Sequence, residues 1–373
     1  MKKVLFISDY NFRIPGGAQK SMEIVMNGLS DKYKFFVLMP GEKIDNRDSH
    51  YTCICLEKFD TFLVNESFIK TIKITCAINR VINKIQPDLI HVHMVSSMSV
   101  VELLKKLIRI KCKLVYTERG VANQYSKITK VILMNTVKDF DKIITTTNIN
   151  KRLYVDLYTH DAEKVTVIPN TAGPIFEGYK YELKLLNKKK YNLIKKTIMM
   201  NARLTYNKNW ELSKRILFWM AQNFDFQYII VIGSDRSEKD IQKCKIQLQQ
   251  IEEIVGRDNF TGYYDLTLSE LNELYYASDV FIMSSRSESF GRTAVEAMAR
   301  GNVVFGTNID GLAEVIGYSE YKYTTLDEFK DKFLSFQDKN LKTEQNKFYN
   351  KFIENYSLEK NLEAHKDIYG TLI

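Results

Sequence analysis

Short apolar runs alternate with longer amphipathic stretches along the chain, and this alternation constrains the fold more than any other feature of the sequence. The run 3–7 is followed by a glycine-rich turn and by 18–30, in which apolar residues recur at helical spacing. The alternation restarts at 197–200 and continues to 303–305. It predicts an α/β fold with two successive Rossmann-like domains, each a doubly wound parallel sheet.

A basic, Asn- and Lys-rich stretch at 179–196 separates the two sets of elements, and we interpret its run 188–190 as a solvated loop. We place the first domain at 1–172 and the second at 173–355, followed by a last helix within 356–373. Ligands bind parallel sheets at the carboxyl ends of the strands. The expected site is therefore a cleft that both domains face.

Composition excludes several other classes of protein. With 45% apolar and 27% charged residues among 373, the chain is typical of a globular protein and not of a disordered one. The sequence has no run near the ~18 apolar residues of a membrane-spanning helix, and its N-terminus is predicted to be a β-strand, not a signal peptide. The five cysteines form no CxxC pair, which disfavours a disulfide framework or a zinc site. We expect a cytoplasmic protein with free thiols.

The excess of positive charge is confined to the first half of the chain. Residues 1–170 contain 26 Lys and Arg against 17 Asp and Glu, whereas the remainder is balanced at 28 against 28. This asymmetry indicates either an anionic partner, such as a membrane surface or a phosphorylated acceptor, or a solvated basic surface. The basic helix at 100–113 would lie on anionic lipid or cover a sheet. We expect no nucleic acid as partner, because the sequence has no basic module with stacking aromatic residues.

The segment 284–301 carries the most specific pattern in the sequence. A polar loop follows a predicted strand, a helix begins near Gly291, and Glu288 and Glu296 lie eight positions apart. On one helix that spacing exceeds two turns, ~12 Å, so the two carboxylates cannot act as a close pair. They can hold two ends of an elongated ligand, with a phosphate or diphosphate at the helix N-terminus between them.

Two further elements follow predicted strands. Arg203 and Lys208 are five positions apart in a loop between a strand and a helix, where two cations can clamp a diphosphate and stabilise it as it leaves. Gly16 and Gly17, in the segment 14–19, allow a loop to approach a ligand beside another helix N-terminus. That loop lacks the GxGxxG fingerprint, which disfavours a dehydrogenase.

His91 and His93 end a predicted strand and share one face of it. A metal ion would need a third and a fourth ligand, and the sequence has no cluster of His or Cys that offers them. We therefore expect no metal site.

The segment 284–301 resembles the pattern S-x-x-E-x-F-G-x-x-x-x-E-A-M-A-x-G of the retaining glycosyltransferases of family 4, the group 1 glycosyl transferases. The similarity extends upstream through 262–264, Leu271, Tyr275 and 277–281, and downstream to Gly311 and Glu314. The element 203–208 is similar to the family's R-L-x-x-x-K, and 14–19 to its first loop. The resemblance implies the two-domain GT-B fold, in which the last helix crosses back onto the first domain.

The resemblance also implies roles for the matched residues. Glu296 is expected to hold the ribose hydroxyls of a nucleotide. Glu288 is expected to hold hydroxyls of the donor sugar, and with Arg203 and Lys208 it forms the expected catalytic set. His93 is expected to contact the acceptor. The other donor-binding residues are expected to be Gly16, Gly17, Gly233, Tyr263, Ser289, Phe290, Gly291, Arg292 and Thr293.

The chain departs from the family pattern at a few positions. Arg119 stands where the family usually has a histidine beside the donor sugar. An arginine stays protonated and cannot act as a base, but it can bind a phosphate or a sugar hydroxyl. Asn302 replaces a usual proline, Asp310 a usual glycine, and 170–171 reads Asn-Thr in place of Asn-Gly.

These features predict a retaining, metal-independent glycosyltransferase. It would move a sugar from a UDP- or GDP-linked nucleotide sugar to a glycan or lipid-linked acceptor in cell-surface polysaccharide synthesis, with no cofactor. We expect it in the cytoplasm, peripheral on the inner face of the cell membrane. Two alternatives remain open: a non-catalytic GT-B subunit that binds a sugar or a partner, and a nucleotide-sugar epimerase or phosphorylase on the same fold.

Overall fold

A computed structural model describes residues 1–13, 16–44, 49–62, 68–108, 110–234 and 236–373. The chain divides into two units, each with its own core. The N-unit comprises Met1–Asn170 and Glu359–Ile373, and the C-unit comprises Thr171–Leu358. The sequence places these two boundaries at 172/173 and 355/356.

Each unit contains one parallel sheet. The N-unit strands are β1 (Lys2–Ile7), β2 (Tyr33–Pro40), β3 (Tyr51–Leu56), β4 (Leu89–Val92), β5 (Lys113–Thr117), β6 (Lys142–Thr145) and β7 (Val165–Val167). The C-unit strands are β8 (Thr197–Arg203), β9 (Gln227–Gly233), β10 (Phe260–Tyr264), β11 (Val280–Met283), β12 (Val303–Thr307) and β13 (Lys322–Tyr323). Their orders are β3-β2-β1-β4-β5-β6-β7 and β10-β9-β8-β11-β12-β13. From β1 the strand numbers increase toward one edge of the sheet through β2 and toward the other through β4, so the direction of winding changes between β1 and β4. In the C-unit sheet it changes between β8 and β11.

Helices connect the strands of both sheets. In the N-unit these are α1 (Gly17–Gly28), α2 (Phe68–Ile85), α3 (Val95–Ile108), α4 (Lys127–Thr136) and α5 (Asn148–Tyr154). In the C-unit they are α6 (Tyr181–Lys190), α7 (Trp210–Asn223), α8 (Glu238–Val255), α9 (Leu268–Ala277), α10 (Arg292–Ala299), α11 (Asp310–Ile316), α12 (Leu326–Gln337) and α13 (Leu341–Asn355). The last helix is α14 (Leu358–Leu372). Polar caps define several helix starts, and at α9 Thr267 and Glu270 form a complete capping box.

Successive residues of β1 enter two different cores, which shows that both faces of the N-unit sheet are buried. Val4 and Phe6 pack in the cluster that also contains residues of α1. Leu5 and Ile7 pack in the cluster that contains residues of α2 and α3. Because side chains alternate along a strand, a continuous apolar run such as this is typical of an interior parallel strand.

The helix α14 packs on the N-unit sheet on the same side as α1. Ile368 and Tyr369 are buried in the cluster with the α1 residues. The Tyr369 hydroxyl is 2.7 Å from His91 Nδ1 on β4. Asn361 Nδ2 donates a hydrogen bond to the Pro169 carbonyl at 2.6 Å. Residues distant in sequence therefore complete the first half of the fold.

Residues 100–108 of the basic segment at 100–113 belong to α3, which covers the sheet, whereas Lys113 begins β5. Val101 and Leu104 are fully buried in the N-unit core. Of the two alternatives for this segment, the buried apolar residues favour the sheet-covering helix. In the part of the chain that the structure describes, no helix is both long and apolar enough to cross a bilayer. The five cysteines are free.

The interpretation of 188–190 as a solvated loop is wrong, because these residues end α6. Lys184 of α6 is buried and lies 3.5 Å from Asp279, while donating a hydrogen bond to the Ser278 carbonyl. Lys188 forms an ion pair with the same carboxylate. A buried acid therefore holds this basic stretch as a helix against α9.

Candidate functional site

Arg203, Lys208 and Glu288 follow two adjacent strands of the C-unit sheet, β8 and β11, between which the strand order changes direction. Arg203 ends β8, and the connection to α7 contains Lys208. The neighbouring strand β11 ends at Met283, and the connection to α10 contains Glu288. Parallel strands place their carboxyl ends at one edge, and a reversal of strand order opens a crevice there.

Hydrogen bonds join these two connections. The Arg286 amide donates to the Asn207 carbonyl at 2.7 Å. The Arg286 guanidinium donates to the Tyr206 carbonyl at 2.8 Å and lies 4.3 Å from the centre of the Tyr206 ring. Ser284 Oγ donates to the Lys208 carbonyl at 3.2 Å. The two loops therefore form one surface.

Lys208 and Glu288 form an ion pair between the two loops. Their side chains are 24% and 16% exposed, so the pair is partly shielded from water. The Glu288 amide donates to Asp310 Oδ2 at 3.3 Å, and the Glu288 carbonyl accepts from the Gly311 amide at 3.1 Å. Asp310 has a positive φ of 37°, a backbone conformation that accounts for the family's glycine at this position.

Arg203 lies beside Gly233 on the adjacent strand. The two residues are partners in the β8–β9 register. A Cβ at position 233 would lie 3.3 Å from Arg203 Cγ, so a larger residue there would press on the arginine side chain. The structure places Arg203 and Gly233 together, whereas the expectation that Arg203, Lys208 and Glu296 line one pocket stays a prediction.

The start of α10 is set by Gly291, which has a φ of 93°. A Cβ there would lie 2.7 Å from Leu312 Cδ1, so this position requires glycine. Phe290 is buried against Tyr356, and the Thr293 hydroxyl lies 3.6 Å from the Met283 sulfur. Both side chains therefore contact other residues of the C-unit.

Glu296 is buried inside α10 and is held by a tyrosine. The Tyr275 hydroxyl donates to Glu296 Oε2 at 3.0 Å and accepts from Asn201 Nδ2 at 2.9 Å. Burial, followed by the charge of Glu296, raises the pKa of Tyr275 well above its usual value, so the hydroxyl stays a donor. Neither Asn201 nor Tyr275 is among the site residues predicted from the sequence. Asn201 shares a face of β8 with Arg203, since side chains two residues apart point the same way.

Arg292 lies one turn before Glu296 on α10. Burial lowers the pKa of the Arg292 guanidinium, and the negative charge of Glu296 opposes that shift. Tyr263 lies on β10, which β9 separates from β8. Burial and the charge of Glu270 raise the Tyr263 pKa. The charge of Glu296 therefore acts on Arg292, whereas Tyr263 is influenced by Glu270 of α9 and, in the opposite direction, by Lys190 of α6.

In the N-unit, a cavity of about 420 Å³ lies at the carboxyl ends of β1, β4 and β5. The residues that line it include Asp9, Tyr10, His93, Ser96, Glu118 and Arg119. His91 is not among the residues that line this cavity. Its two ring nitrogens are 2.7 Å from the Tyr369 hydroxyl and 2.7 Å from the Thr117 hydroxyl, so it has a structural role.

Arg119 contacts His93 directly. Its guanidinium donates to His93 Nδ1, with Nη2 at 2.8 Å and Nε at 3.2 Å, and Nη1 donates to Asn170 Oδ1 at 2.7 Å. Asn170 Oδ1 also accepts from the Ser21 hydroxyl at 3.2 Å. Arg119, in the position of the family's histidine, therefore links the ends of β4 and β5 to α1.

Two buried carboxyl groups border this cavity, and neither is among the site residues predicted from the sequence. Asp9 Oδ1 accepts from the Ser97 amide at 3.0 Å at the start of α3, and burial raises the Asp9 pKa to about 6 against these hydrogen bonds. Glu118 accepts from the Gly120 amide at 2.7 Å and from the Tyr125 hydroxyl. Burial also raises the pKa of Glu118. Both acids therefore take up protons more readily than exposed carboxyl groups.

The glycine loop after β1 is described only in part. Gly16 caps α1 in an extended conformation, with φ −158°, and Gly17 is the first helical residue. The rest of the predicted element, Ile14 and Pro15, lies outside the described residues. Among the described residues, no group of three or more His, Cys, Asp or Glu side chains is placed to hold a metal ion.

Solved structures share the fold of this chain. Sucrose-phosphate synthase from Thermosynechococcus elongatus superposes with a TM-score of 0.81 at 17% identity, covering 100% of this chain and 99% of that one. The Anabaena protein HepE in complex with UDP-glucose gives a TM-score of 0.77 at 15% identity, covering 100% of both chains. These likenesses confirm the predicted GT-B fold with its two Rossmann-like parallel sheets.

Sequence comparisons give the family. The mannosylfructose-phosphate synthase of Agrobacterium fabrum is 24% identical over 190 residues, which are 48% of this chain and 40% of that protein's length. The family model described as "Glycosyl transferases group 1" matches residues 184–356, and the model described as "Glycosyltransferase Family 4" matches residues 15–172. Because these two matches together span nearly the whole chain, the chain belongs to the group 1, family 4 glycosyltransferases.

Proposed function

We propose that the chain is a retaining glycosyltransferase that needs no metal ion and takes its sugar from a UDP-linked donor. The observation that carries this proposal is the meeting of Lys208 with Glu288 across two loops at the reversal point of the C-unit sheet. The Anabaena protein HepE, which has the same fold, was solved with UDP-glucose. That complex supports UDP as the nucleotide.

In this proposal the C-unit binds the donor through groups of opposite charge. The diphosphate lies beside Arg203 and Lys208 and faces the N-terminus of α10, whose first amides have no acceptor within the helix. Glu296 accepts hydrogen bonds from the ribose hydroxyls. Tyr275 holds that carboxylate in place with a hydroxyl that stays protonated.

In the proposed mechanism, binding of the donor separates the ion pair of Lys208 and Glu288 and gives each side chain a new partner. The diphosphate replaces Glu288 as the partner of Lys208, and the released carboxylate accepts hydrogen bonds from the donor sugar. The bond from the sugar's anomeric carbon to the diphosphate then breaks, and the acceptor oxygen bonds to that carbon on the same face. The acceptor's proton leaves on the diphosphate. Arg203 and Lys208 stabilise the negative charge that develops on this leaving group.

The acceptor in this proposal is a glycan or a lipid-linked sugar used in cell-surface polysaccharide synthesis, and the N-unit lies on the inner membrane surface. Apolar residues in helical register are exposed on α4: Ile128 at 68%, Val131 at 57% and Met134 at 56%. Lys127 and Lys130 flank them. A row of apolar side chains with lysines beside it suits an anionic lipid surface.

The donor is tested by adding UDP-linked and GDP-linked sugars to the full chain and measuring the melting temperature, since a bound ligand stabilises the folded state. UDP-sugars are expected to raise it, and transfer to an acceptor is expected to continue in excess chelator. Retention is read from the anomeric configuration of the product. Binding without transfer would favour the non-catalytic subunit, and isomerisation of the nucleotide sugar would favour the epimerase.

Membrane binding is tested by flotation with vesicles of neutral lipid and with vesicles that contain anionic lipid. We expect the chain to float only with the anionic vesicles and the double variant Ile128→Glu, Met134→Glu to stay behind. Ile246→Glu is the matched control, because Ile246 is also an exposed apolar residue on a helix but belongs to the C-unit. Equal flotation with both lipids, or loss of flotation in the control alone, would contradict the proposal that the N-unit binds an anionic membrane.

A further inference from the structure

One buried polar atom in the N-unit has no explanation within the folded chain. His93 is 1% exposed, and its Nε2 has no hydrogen-bond partner in the described part of the structure. A buried donor or acceptor left without a partner costs about 1–3 kcal/mol. His93 also lines the 420 Å³ cavity described above. At a residue that lines a cavity, a bound ligand or water can supply the missing hydrogen bond.

The contact with Arg119 decides which ring nitrogen carries the proton. A guanidinium has only donors, so His93 Nδ1 must accept the hydrogen bonds from Arg119 Nη2 and Nε. Burial, the neighbouring His91 ring and the charge of Arg119 hold the His93 pKa well below its usual range, so the ring is neutral. In a neutral ring with Nδ1 as acceptor, Nε2 bears the hydrogen. His93 therefore presents a buried N–H group.

Arg119 is itself held in one orientation. Its Nη1 donates to Asn170, which also accepts from Ser21 of α1. The residue before it, Glu118, is anchored by the Gly120 amide and the Tyr125 hydroxyl. A Cβ at position 120 would overlap the Tyr125 hydroxyl at 2.1 Å, so Gly120 is required for this anchor. The direction of the guanidinium is therefore fixed by the fold.

The groups around the cavity favour a neutral ligand over an anion. The carboxyl groups of Asp9 and Glu118 and the guanidinium of Arg119 are its ionisable groups besides His93 and the tyrosines. The two acids outnumber the single cation, and that cation already donates to His93 and Asn170. The other polar residues that line the cavity carry hydroxyls: Tyr10, Ser96, Ser99, Tyr116, Tyr125 and Thr129. Hydroxyl-rich surroundings of this kind suit a sugar.

We propose that Arg119 is a positioning residue, which holds His93 as a neutral donor so that His93 Nε2–H binds a hydroxyl oxygen of an uncharged sugar in the N-unit cavity. The identification of that sugar as the acceptor rests on the proposed function, whereas the state of His93 does not. The role of Arg119 therefore differs from direct contact with phosphate or sugar, because it acts through the histidine.

The state of His93 is tested by NMR on the full chain labelled with 15N-histidine. The chain has five histidines, and His93→Gln identifies the signal of His93. We expect a protonated Nε2 and an unprotonated Nδ1 that do not change between pH 5 and pH 8. In Arg119→Met the fixed tautomer is expected to be lost and the His93 pKa to rise, while Arg119→Lys keeps part of the effect. A wild-type ring protonated at Nδ1, or an unchanged ring in Arg119→Met, would overturn the proposal.

The ligand is tested without a donor, by adding methyl glucoside, methyl mannoside, methyl galactoside, glucuronate or glucose 6-phosphate. At least one neutral glycoside is expected to shift the His93 Nε2–H signal, and the two anionic sugars are not. Gln places an amide near Nε2, whereas Asn places one near Nδ1. Binding of the neutral glycoside should therefore weaken less than threefold in His93→Gln and more than tenfold in His93→Asn. A shift produced only by the anionic sugars, or equal binding by the two variants, would overturn the ligand class even if the enzyme transfers sugar as proposed.

Discussion

The two units bury carboxyl groups in opposite ways. Asp279 of the C-unit has two lysine partners, Lys184 and Lys188, and although burial opposes ionisation, these charges lower its pKa. Asp9 and Glu118 of the N-unit have hydroxyl and amide donors, and burial raises their pKa values. Burial alone therefore does not decide the charge of an acid, because the charge of its partner does. The C-unit acid is therefore held as a charged carboxylate by lysines, whereas the two N-unit acids are held by uncharged donors.

The largest effect is expected when the paired acid of the C-unit is removed. Asp279→Asn leaves Lys184 and Lys188 without their carboxylate in a buried place, so the C-unit should lose about 3–5 kcal/mol of unfolding free energy. Tryptophan fluorescence during denaturation measures it, since both tryptophans, Trp210 and Trp219, lie in the C-unit. Asp225→Asn, at an exposed ion pair, is the control and should change stability by less than about 0.5 kcal/mol. A loss below 1 kcal/mol in Asp279→Asn would contradict the comparison.

The second prediction concerns the charge at the C-unit edge. Lys208→Ala removes a cation that stabilises the leaving diphosphate, so kcat should fall by about 10²–10³-fold. The matched control is Lys214→Ala, because Lys214 pairs with Glu211 on α7 and is not part of the motif. Steady-state transfer assays compare the two variants. Near-normal turnover in Lys208→Ala would show that this cation has no part in the chemistry.

The third prediction concerns the pH dependence of the N-unit. The Asp9 pKa is about 6 in the folded chain and ~3.9 in an unfolded chain, so the folded state holds the proton between these pH values and the unfolded state does not. Asp9 alone should therefore contribute up to about 3 kcal/mol more stability to the N-unit at low pH than at pH 7, whereas the buried histidines His91, His93 and His365, whose pKa values are lowered by burial, act in the opposite direction. Amide hydrogen exchange in β1 and α3 and the carboxyl 13C shift of Asp9 measure this. The stability of the wild-type chain relative to that of Asp9→Asn should grow as the pH falls from 6 to 4; an Asp9 that titrates below 4 would contradict the assignment.

The smallest effect is expected from a neutral hydrogen bond at the charged edge. Tyr275→Phe removes the hydroxyl between Asn201 and Glu296, which should destabilise the C-unit by about 0.5–1.5 kcal/mol. Binding of UDP, measured by calorimetry, should weaken by about threefold to tenfold, because the carboxylate loses its orientation. Tyr264→Phe is the control, since Tyr264 is a partly exposed tyrosine on an edge strand. Identical UDP affinity in the two variants would argue against a role for Tyr275 in holding Glu296.

The elements that the sequence predicts well are those with a local signal. The run 3–7 became β1, and the helix predicted near Gly291 begins at Arg292, since glycine is needed at a φ of 93°. Repeating apolar patterns and special backbone positions act over a few residues, so they can be recognised without the fold. The Glu-x7-Glu pattern is local in the same sense.

The sequence could not predict the contacts made between distant residues. The run 188–190 was interpreted as a loop because Asp279, which pairs with Lys184 and Lys188 of α6, is distant from them in sequence. The contact of Arg119 with His93 depends on the parallel pairing of β4 and β5, which brings residues 26 positions apart together. At α6 the sequence shows only a basic stretch, and at Arg119 it shows only a difference from the family pattern. Neither feature indicates which distant residue forms the contact.

Because α14 belongs to the N-unit, the N-unit can complete its folding only after the C-terminal residues have been synthesised. Residues 359–373 complete the N-unit, and Tyr369 supplies the hydroxyl that meets His91 beneath the sheet. During synthesis, the first 170 residues leave the ribosome long before this helix does. The apolar surface of the N-unit that α14 covers therefore stays exposed, or is bound by a chaperone, until the ribosome has synthesised the C-unit and α14. Protease resistance of the N-unit in stalled nascent chains should appear only after Tyr369 has emerged.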